Sequence, residues 1–494
     1  MTRRQRLTLI AAILGSGVAM IDGSIVNVAL PSIERDLGGG LSAQQWVSNA
    51  YLLTLGSLIL IGGSLGDIYG ERRVFTLGVS AFGVFSVACA VAPTIGVLLA
   101  ARALQGAAGA LLTPSSLAVI IAAFSNEERG AAIGAWTAWG AIAAIVGPLA
   151  GGVIVDNASW RWIFAINPPL IVITLLLIAA AVPPSAARSE RRVDVLGAVL
   201  CVAGLGAVVF ALIEQPHFGW GSPAILAPLI AGVGALAVFT VHERRDADPM
   251  IELSLFARRN FTIGNLETLT MYAGLSILFF FLVIFLQEVA SYDAIKAGLS
   301  TLPVTVVMFM LSRRFGALAG RYGPRLFMGA GPLVGAGGIL LLLRAGIHTS
   351  YVSDLLPALV IFGIGLSMTV APLTATVLAG ADEKDAGIAS AINNAVARVA
   401  GLVGIAVVGV VVAGGLGGDT FGRSAASVRA FHHAILICAA LVASGGLAAA
   451  IGIVNPRRRV RGAECPGGQL VGVPRQAAEA EARAGAARRS QRAA

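Results

Sequence analysis

Long apolar stretches alternate with short polar segments along the chain as far as about residue 454. A transmembrane helix needs about 20 apolar residues to cross about 30 Å of hydrocarbon, and the sequence contains fourteen such stretches. They lie near 7–30, 43–65, 74–92, 96–121, 130–155, 161–182, 194–214, 223–242, 260–286, 297–315, 326–347, 355–380, 387–413 and 431–454. The pattern predicts an all-α integral membrane protein with fourteen transmembrane helices.

The composition agrees with a membrane protein. Hydrophobic residues make up 57% of the 494 residues and charged residues 12%, and the mean hydropathy is +0.84. A soluble protein of this length would expose too much apolar surface to stay dispersed. The first stretch is not read as a cleaved signal peptide, because it is too long and carries Asp22 in its middle.

The basic residues indicate the orientation. With the N-terminus inside, eighteen lysines and arginines fall in inner loops before the tail and six fall outside. Because cytoplasmic loops carry the excess of Lys and Arg, we expect a multi-pass protein of the cell's inner (plasma) membrane with both termini cytoplasmic. The net charge of +9 then reflects topology. The basic, disordered tail is expected to contact anionic lipid and not nucleic acid.

A polar turn is repeated in the two parts of the chain. Residues 66–73, between spans two and three, have a weaker copy ending at residue 325, and aligning Leu65 with Leu318 places Gly70 on Gly323. Such a repeat predicts a duplicated helical bundle, an architecture common in transporters. The predicted domains are a six-helix bundle at 1–182, linkers with a two-helix insert at 183–259, a second six-helix bundle at 260–454 and the tail at 455–494.

The second linker carries an amphipathic stretch. Its apolar positions are Met250, Ile251, Leu253, Leu255 and Phe256. A stretch of this kind is expected to lie along the membrane surface.

Four charged residues lie deep within predicted spans. Each costs about 2.5–3.5 kcal/mol on insertion scales and therefore needs a role. Asp22 either binds a proton or cationic group, or is a static partner for an arginine. Glu267 is either a second titratable site or reaches the cytoplasmic surface. Arg398 either lines a central cavity or ties the two bundles together, and Arg102 is considered below.

Small residues recur in the fifth span. Ala143, Gly147 and Gly151 are spaced four apart and form one face on which another helix can pack closely. Pro148 removes a backbone donor and predicts a kink. Ordinary close packing explains the glycines, but it explains a mid-span Gly-Pro less readily.

No metal, cofactor or enzymatic site is predicted. The cysteines (Cys89, Cys201, Cys438 and Cys465) show no paired spacing, and the five histidines show no ligand spacing. A phosphate-binding loop is absent from the sequence, which argues against direct use of ATP. A proton gradient is the expected energy source.

Five segments resemble the major facilitator superfamily and, within it, the 14-span drug:proton antiporter family. They are 62–73 between spans two and three, 99–109 with Arg102, Gln105 and Gly106 in span four, 140–152 in span five, Met20–Pro31 in span one and Trp160–Pro168 entering span six. The resemblance implies a major facilitator fold arranged as 6+2+6 helices. It also implies exchange of protons for drugs or other small organic molecules by alternating access.

The resemblance also suggests functional residues. Proton coupling is assigned to Asp22, Arg102 and Glu267. The substrate cavity is assigned to Asp22, Asn27, Arg102, Gln105, Asn394 and Arg398. A conformational latch is assigned to Gly66, Asp67, Gly70, Arg72 and Arg73. The motif associated with antiport comprises Gly140, Gly147, Pro148, Gly151 and Gly152.

Several alternatives stay open at this point. Arg102 can instead be structural, bonded to backbone carbonyls, and Asp67 a plain turn-forming residue. The chain can be a dedicated exporter of an endogenous metabolite or siderophore, an uptake symporter, which the Gly147-Pro148 motif argues against, or a non-transporting scaffold. Spans ten and thirteen contain no internal Asp or Glu, which favours neutral, monocationic or anionic substrates. A monomer is expected, because the two bundles enclose a complete site.

Overall fold

The computed structural model of the chain describes residues 1–183, 193–246, 248–381, 386–416 and 420–455. The predicted tail beyond residue 455, the basic part of the first linker and the loop with Lys384 lie outside the described residues. Every regular element within the described ranges is helical. The predicted all-α fold is therefore confirmed.

The first predicted bundle corresponds to seven helices, which we call the N-terminal half. They are α1 (Arg3–Leu37), α2 (Gly40–Tyr69), α3 (Glu71–Ala90), α4 (Ile95–Ala123), α5 (Asn126–Asn157), α6 (Trp162–Ala165) and α7 (Asn167–Ala181). The short α6 and α7 together form the sixth predicted span. Pro168 stands in the first turn of α7, where its missing N–H costs no helical bond.

The insert consists of α8 (Val195–Phe218) and α9 (Pro223–Arg245), which pack against each other. The remaining helices, which we call the C-terminal half, are α10 (Arg259–Glu288), α11 (Ala294–Ser300), α12 (Leu302–Tyr322), α13 (Pro324–Leu341), α14 (Leu356–Ala379), α15 (Ala386–Leu416) and α16 (Ala425–Gly452). The short α11 and α12 together form the tenth span.

Thirteen helical segments in the described part of the chain are long and apolar enough to cross a membrane. They correspond to every predicted span except the fifth, where α5 runs through 32 residues. The fourteen-span prediction is consistent with this count. Met1–Val454 forms one compact unit, so the division into two bundles and an insert stays a prediction.

The two halves repeat the same packing pattern. In the N-terminal half α2 and α3 pack against α4, and α1 packs against α5 and α7. In the C-terminal half α12 and α13 pack against α14, and α10 packs against α15 and α16. The equivalent helices therefore meet equivalent neighbours, as a duplicated bundle requires.

The repeated polar turn has the same backbone conformation in both halves. Gly70 alone separates α2 from α3 and has φ 90° and ψ 132°. Gly323 alone separates α12 from α13 and has φ 92° and ψ 149°. Residues with a Cβ rarely adopt a positive φ of this size, and this restriction explains the glycine at both positions.

The insert packs along a seam between the halves. Its helix α8 contacts both α2 and α15, and Leu205 and Val209 share a core cluster with Leu402 and Ala406 of α15. A polar anchor joins α8 to α2, because Glu214 Oε1 accepts a hydrogen bond from Trp46 Nε1 at 2.8 Å.

The halves are closely joined at the end of the bundle opposite the start of α1, which we call the far end. Gln287 Nε2 of α10 donates to Val28 O of α1 at 2.9 Å, and Gln45 Nε2 of α2 donates to Ile405 O of α15 at 2.8 Å. Asp156, near the end of α5, accepts hydrogen bonds from the first two backbone N–H groups of α11 at 3.0 and 2.8 Å. Side chains from both halves share the largest core cluster.

The amphipathic stretch of the second linker does not form a surface helix. It forms a 3₁₀ turn at Leu253–Ala257, with Leu255 1% exposed and the Phe256 ring against the Phe261 ring. Leu255 shares a cluster with residues of α2, α10, α13, α14, α15 and α16. These side chains therefore find protein neighbours at the base of the C-terminal half, and the position of the stretch relative to the membrane surface stays a prediction.

Candidate functional site

An ion pair lies sealed inside the N-terminal half. Arg102 of α4 donates through a terminal guanidinium nitrogen to Asp22 Oδ2 of α1 at 2.5 Å. The two side chains are 1% and 0% exposed. Each of the two charges is therefore compensated by its partner in the pair and not by water.

Polar side chains from two further helices complete the surroundings of Asp22. Gln105 Nε2 donates to Asp22 Oδ1 at 3.0 Å and to Ser86 Oγ of α3 at 2.9 Å. Asn167 Nδ2 of α7 lies 3.3 Å from Asp22 Oδ1 and 3.2 Å from Ser86 Oγ. Both oxygens of Asp22 are thus bonded, as a buried carboxylate requires.

Arg102 has partners besides the carboxylate. Its Nε donates to Val47 O of α2 at 3.2 Å, and one terminal nitrogen donates to Gln105 Oε1 at 2.7 Å. The guanidinium carbon lies 4.3 Å from the centre of the Tyr51 ring and 5.6 Å from that of Phe164. Cation–π contacts of this kind gain strength when water is excluded.

The local sequence explains how α4 brings Arg102 to this position. Gly106 follows one turn later, and a Cβ added there would collide with Tyr51 O and Thr54 Oγ1 of α2. Thr54 Oγ1 also donates to Ala103 O at 2.6 Å. The backbones of α2 and α4 therefore approach closely, and this approach brings Val47 O and the Tyr51 ring to Arg102.

The structure divides the six predicted cavity residues into two groups. Asp22, Arg102 and Gln105 are enclosed, so they do not line an open cavity in this conformation. Asn27 is half-buried and accepts from Ser48 Oγ at 3.4 Å, and Asn394 is exposed on α15. The cavity assignment itself stays a prediction.

Arg398 lies where the two halves meet. It is half-buried, and a Cβ added at Gly56 of α2 would lie 3.0 Å from Cβ of Arg398. One turn away, Asn393 Nδ2 donates to Thr268 Oγ1 of α10 at 2.7 Å. The position is compatible with both roles considered for Arg398.

Glu267 does not reach the cytoplasmic surface, so that alternative was wrong. Its side chain is 0% exposed, and neither carboxylate oxygen has a hydrogen-bond partner among the described residues. A Cβ added at Gly445 of α16 would lie 3.7 Å from Cα of Glu267. Glu267 therefore lies in the protein interior where α10 packs against α16.

The glycines of the antiport motif pack on two sides of α5. On one side they approach α1: a Cβ at Gly147 would collide with Ser24 Oγ, and one at Gly151 would lie 2.7 Å from Ile25 Cγ1. Gly140 faces Met20 of the same helix. On the other side Gly152 approaches Ala294 of α11, where a Cβ would lie 2.8 Å from the carbonyl oxygen.

The C-terminal half completes this second contact. A Cβ at Gly298 of α11 would lie 2.5 Å from Pro148 O, and α5 continues as a helix through Pro148. The motif therefore holds α5 between α1 and α11, one from each half.

The predicted latch residues surround the turn between α2 and α3. Gly66 O accepts the Gly70 N–H at 2.9 Å, and this bond closes the last turn of α2. Asp67 and Arg73 are exposed and Arg72 is half-buried. Whether Asp67 holds the two halves together stays a prediction.

Sequence reasoning missed four residues of the buried network: Ser86, Asn167, Tyr51 and Phe164. Ser86 and Asn167 were visible as polar residues in apolar stretches. Their convergence on Asp22 depends on the packing of α3 and α7, which the sequence does not show. Sequence reasoning also missed Asp156.

The comparisons with known proteins agree with this architecture. The family model for the Major Facilitator Superfamily matches residues 12–405. The chain belongs to the major facilitator superfamily. The many apolar helices and the two similarly packed halves of the chain agree with this assignment.

Curated relatives of this superfamily member share about a third of its residues. It is 34% identical to "Multidrug resistance protein Stp" of Mycobacterium tuberculosis, covering 93% of this chain and 86% of the relative. It is 34% identical to "Puromycin resistance protein pur8" of Streptomyces alboniger, covering 82% and 81%. It is 34% identical to "Probable actinorhodin transporter" of Streptomyces coelicolor, covering 84% and 73%.

Solved structures support the fold alone. A bacterial homolog of the lysosomal transporter Spinster, in an inward-facing and unoccupied conformation, matches with a TM-score of 0.67 at 14% identity, covering 92% of this chain and 97% of that one. The inward-open xylose transporter XylE of E. coli matches with a TM-score of 0.63 at 14% identity, covering 91% and 97%.

Proposed function

We propose that this chain is an exporter that expels drugs or other small organic molecules from the cell in exchange for protons. The buried Asp22–Arg102 pair carries the proposal, because it places a protonatable group in the interior of a membrane-spanning bundle. The names of the relatives support export: they include a multidrug resistance protein, a puromycin resistance protein and a probable antibiotic transporter. The driving force is the proton gradient, with no cofactor.

Protonation of Asp22 is the proposed coupling event. A proton on the carboxylate removes half of a buried ion pair, and leaving a buried charge without its partner costs about 3–5 kcal/mol. Among the described residues, Arg102 then retains Val47 O, Gln105 Oε1 and the rings of Tyr51 and Phe164 as partners. These contacts compensate the buried guanidinium charge only in part. We therefore expect protonation to favour a rearrangement of α1 and α4.

Glu267 is proposed as a second proton carrier, in the C-terminal half. An ionised carboxylate without a hydrogen-bond donor is costly in an apolar interior, and both Glu267 oxygens are of this kind. The surroundings of Glu267 in this conformation therefore favour the neutral, protonated side chain. Release of its proton requires a conformation in which water or a donor reaches the carboxyl group.

The closed far end supports transport by alternating access. The excess of basic residues supports a cytoplasmic position of both termini and, with them, of the start of α1. The far end is then the outer end, and its bonds between the halves close the outward path. Export requires these bonds to break while the inner end closes. A single chain supplies both halves, so we propose that it acts as a monomer in the plasma membrane.

Transport by purified protein in liposomes tests this function. A fluorescent monocationic dye and puromycin are offered as substrates under an imposed pH gradient, and the wild type is compared with Asp22→Asn. We expect substrate movement opposite to proton flow in the wild type. Asp22→Asn should abolish this gradient-driven movement, since the amide cannot carry the proton.

Two further variants make the outcome specific. Asp36→Asn is the matched control: Asp36 stands on the same helix, but its carboxylate bonds Trp160 and Arg161 at the far end, and transport should persist. Gradient-driven transport that persists in Asp22→Asn but stops in Glu267→Gln would contradict the role of Asp22 and assign coupling to Glu267. Substrate accumulation in the direction of proton flow would contradict export.

A further inference from the structure

A cluster of acidic groups and one histidine lies at the base of the insert, far from the proposed transport site. Asp194 precedes α8, while His242 and Glu243 stand in the last turn of α9 and Asp246 follows that helix. His242 Nε2 lies 2.9 Å from Asp194 Oδ1 and 3.3 Å from Asp246 Oδ2. One potential ligand atom from each of these three residues lies within 4.8 Å of the others.

Each carboxylate of the cluster is held by a backbone N–H through one of its oxygens. Asp194 Oδ1 accepts from Gly197 N at 2.8 Å, and Glu243 Oε2 accepts from Ile251 N at 2.9 Å. Asp246 Oδ1 accepts from Asp248 N at 3.0 Å. Anchoring of this kind fixes the direction of the second oxygen, as outer-shell bonds do in metal sites.

Two of the second oxygens are buried and have no partner. Asp194 Oδ2 and Glu243 Oε1 make no hydrogen bond, although the Asp194 side chain is 4% exposed and Glu243 is 3% exposed. Both face one point, because a Cβ added at Gly197 would contact Asp194 Oδ2 and lie 3.0 Å from Glu243 Oε1. Two unpaired acceptors that converge in a buried place need a proton or a cation between them, and burial raises the pKa of Glu243 to about 7.

The negative charge of the cluster also favours a bound cation. Three carboxylates and one imidazole occupy a small volume, and within the described residues no lysine or arginine forms an ion pair with Asp194 or Glu243. Mutual repulsion of carboxylates is strong where water is scarce. A bound dication would remove this repulsion and supply partners for both free oxygens at once.

The geometry fits a small transition-metal ion. With ligand distances of about 2.0–2.1 Å, two ligand atoms of a tetrahedral site lie about 3.3 Å apart, which equals the distance from His242 Nε2 to Asp246 Oδ2. The 2.9 Å from His242 Nε2 to Asp194 Oδ1 is a hydrogen bond, and an ion would replace it. Carboxylate oxygens with one imidazole nitrogen suit ions such as Zn²⁺ and Mn²⁺. His242 is 22% and Asp246 29% exposed, so an ion can enter from solvent.

We propose that Asp194, His242, Glu243 and Asp246 bind one divalent transition-metal ion that clamps the base of the insert. The ion joins the start of α8 to the end of α9. It also reaches the segment that leads to α10, because Glu243 bonds Ile251. The site stands apart from Asp22 and Glu267, so it does not depend on the proposed transport function.

Metal binding is measured on the full chain, purified in detergent with its affinity tag removed and treated with a chelator. Zn²⁺ content after desalting and Mn²⁺ binding by electron paramagnetic resonance should both give one ion per chain. His242→Ala and Glu243→Gln should weaken binding at least about 10–100-fold, the range seen when even outer-shell partners are lost. Binding should also raise the midpoint of thermal unfolding in the wild type.

Two matched controls replace residues outside the cluster. His348→Ala removes an exposed histidine, and Glu252→Gln removes a nearby carboxylate that accepts a bond from Ser254. Both variants should retain one ion. Asp246→Asn replaces Glu243→Gln if that variant fails to give a monodisperse protein. If the wild-type protein binds no stoichiometric metal, the proposal is overturned. A proton shared by Asp194 Oδ2 and Glu243 Oε1 would then explain the two free oxygens. Equal binding by His242→Ala and His348→Ala would overturn the proposal as well.

Discussion

Asp156 offers the sharpest test of how the far end is held closed. It belongs to α5 of the N-terminal half, and its two oxygens accept from the backbone N–H groups of Ala294 and Ile295 in the C-terminal half. Charged acceptors bonded to N–H groups form stronger hydrogen bonds than neutral ones. Opening of the far end separates α5 from α11 and must break both bonds.

The expected effect of Asp156→Asn follows from these two bonds. The amide keeps one acceptor oxygen, but it loses the second acceptor and the negative charge. Asp156 is exposed, so water compensates part of the loss, and the remaining cost is about 1 kcal/mol. That energy shifts the equilibrium towards the far-end-open conformation about five-fold.

Distances between spin labels measure this shift. Labels are placed on Val91 after α3 and Val352 before α14, which are 69% and 70% exposed and belong to different halves. The native cysteines are first replaced by alanine, and the protein is studied in nanodiscs. Asp156→Asn should raise the population at long distance about five-fold relative to the same background with Asp156.

Asp36→Asn is the control at the same end. Asp36 also bonds two groups, Trp160 and Arg161, but both belong to its own half, so the distance distribution should not change. Equal distributions for Asp156→Asn and its parent would refute the reasoning. So would an equal shift in Asp36→Asn, since the effect would then arise from lost charge at the far end and not from the bonds between the halves.

Two other predictions concern stability in detergent, measured as the midpoint of thermal unfolding. Gly106→Ala should destabilise the protein by about 1–3 kcal/mol, because the new Cβ would collide with Tyr51 O. The control Gly96→Ala should be neutral, since a Cβ there has no neighbour within 4 Å. Equal unfolding midpoints for the two variants would contradict close packing of α2 on α4. Glu214→Gln should cost about 1 kcal/mol by weakening the bonds that Glu214 Oε1 accepts from Trp46 Nε1 and Ser42 Oγ. In a Ser42→Ala/Trp46→Phe background this difference should disappear if the two bonds are its cause.

Local sequence signals predicted the helices and the repeated turn because those signals act within one turn of chain. Gly70 and Gly323 illustrate this: each stands alone between two apolar runs, and each has the positive φ that glycine allows. The protein contacts of the linker turn at Leu253–Ala257 could not be predicted in this way. An amphipathic pattern specifies one apolar face, but lipid and protein neighbours satisfy that face equally well.

The candidate site was predictable only in part. Asp22 and Arg102 stood out because charge is rare in apolar spans, and the resemblance to a known family assigned both to proton coupling. Ser86 and Asn167 carry no charge and gave no comparable signal. The cluster at the base of the insert was invisible to spacing rules, because Asp194 precedes His242 by 48 residues and the two meet only when α8 packs against α9.

The helix α5 links the buried pair to the closed far end. Gly147 packs on Ser24, two residues after Asp22. A movement of α1 after protonation would therefore displace α5 at that contact. Five residues later Gly152 packs on Ala294, and one turn beyond it Asp156 caps the same short helix. Because glycine packing leaves no side chain to absorb a displacement, α5 must move with α1 or lose contact with it. The contact with α1 beside Asp22 and the bonds of Asp156 therefore lie on one helix, nine residues apart, and the proposed coupling between proton binding and outward opening would act through that helix.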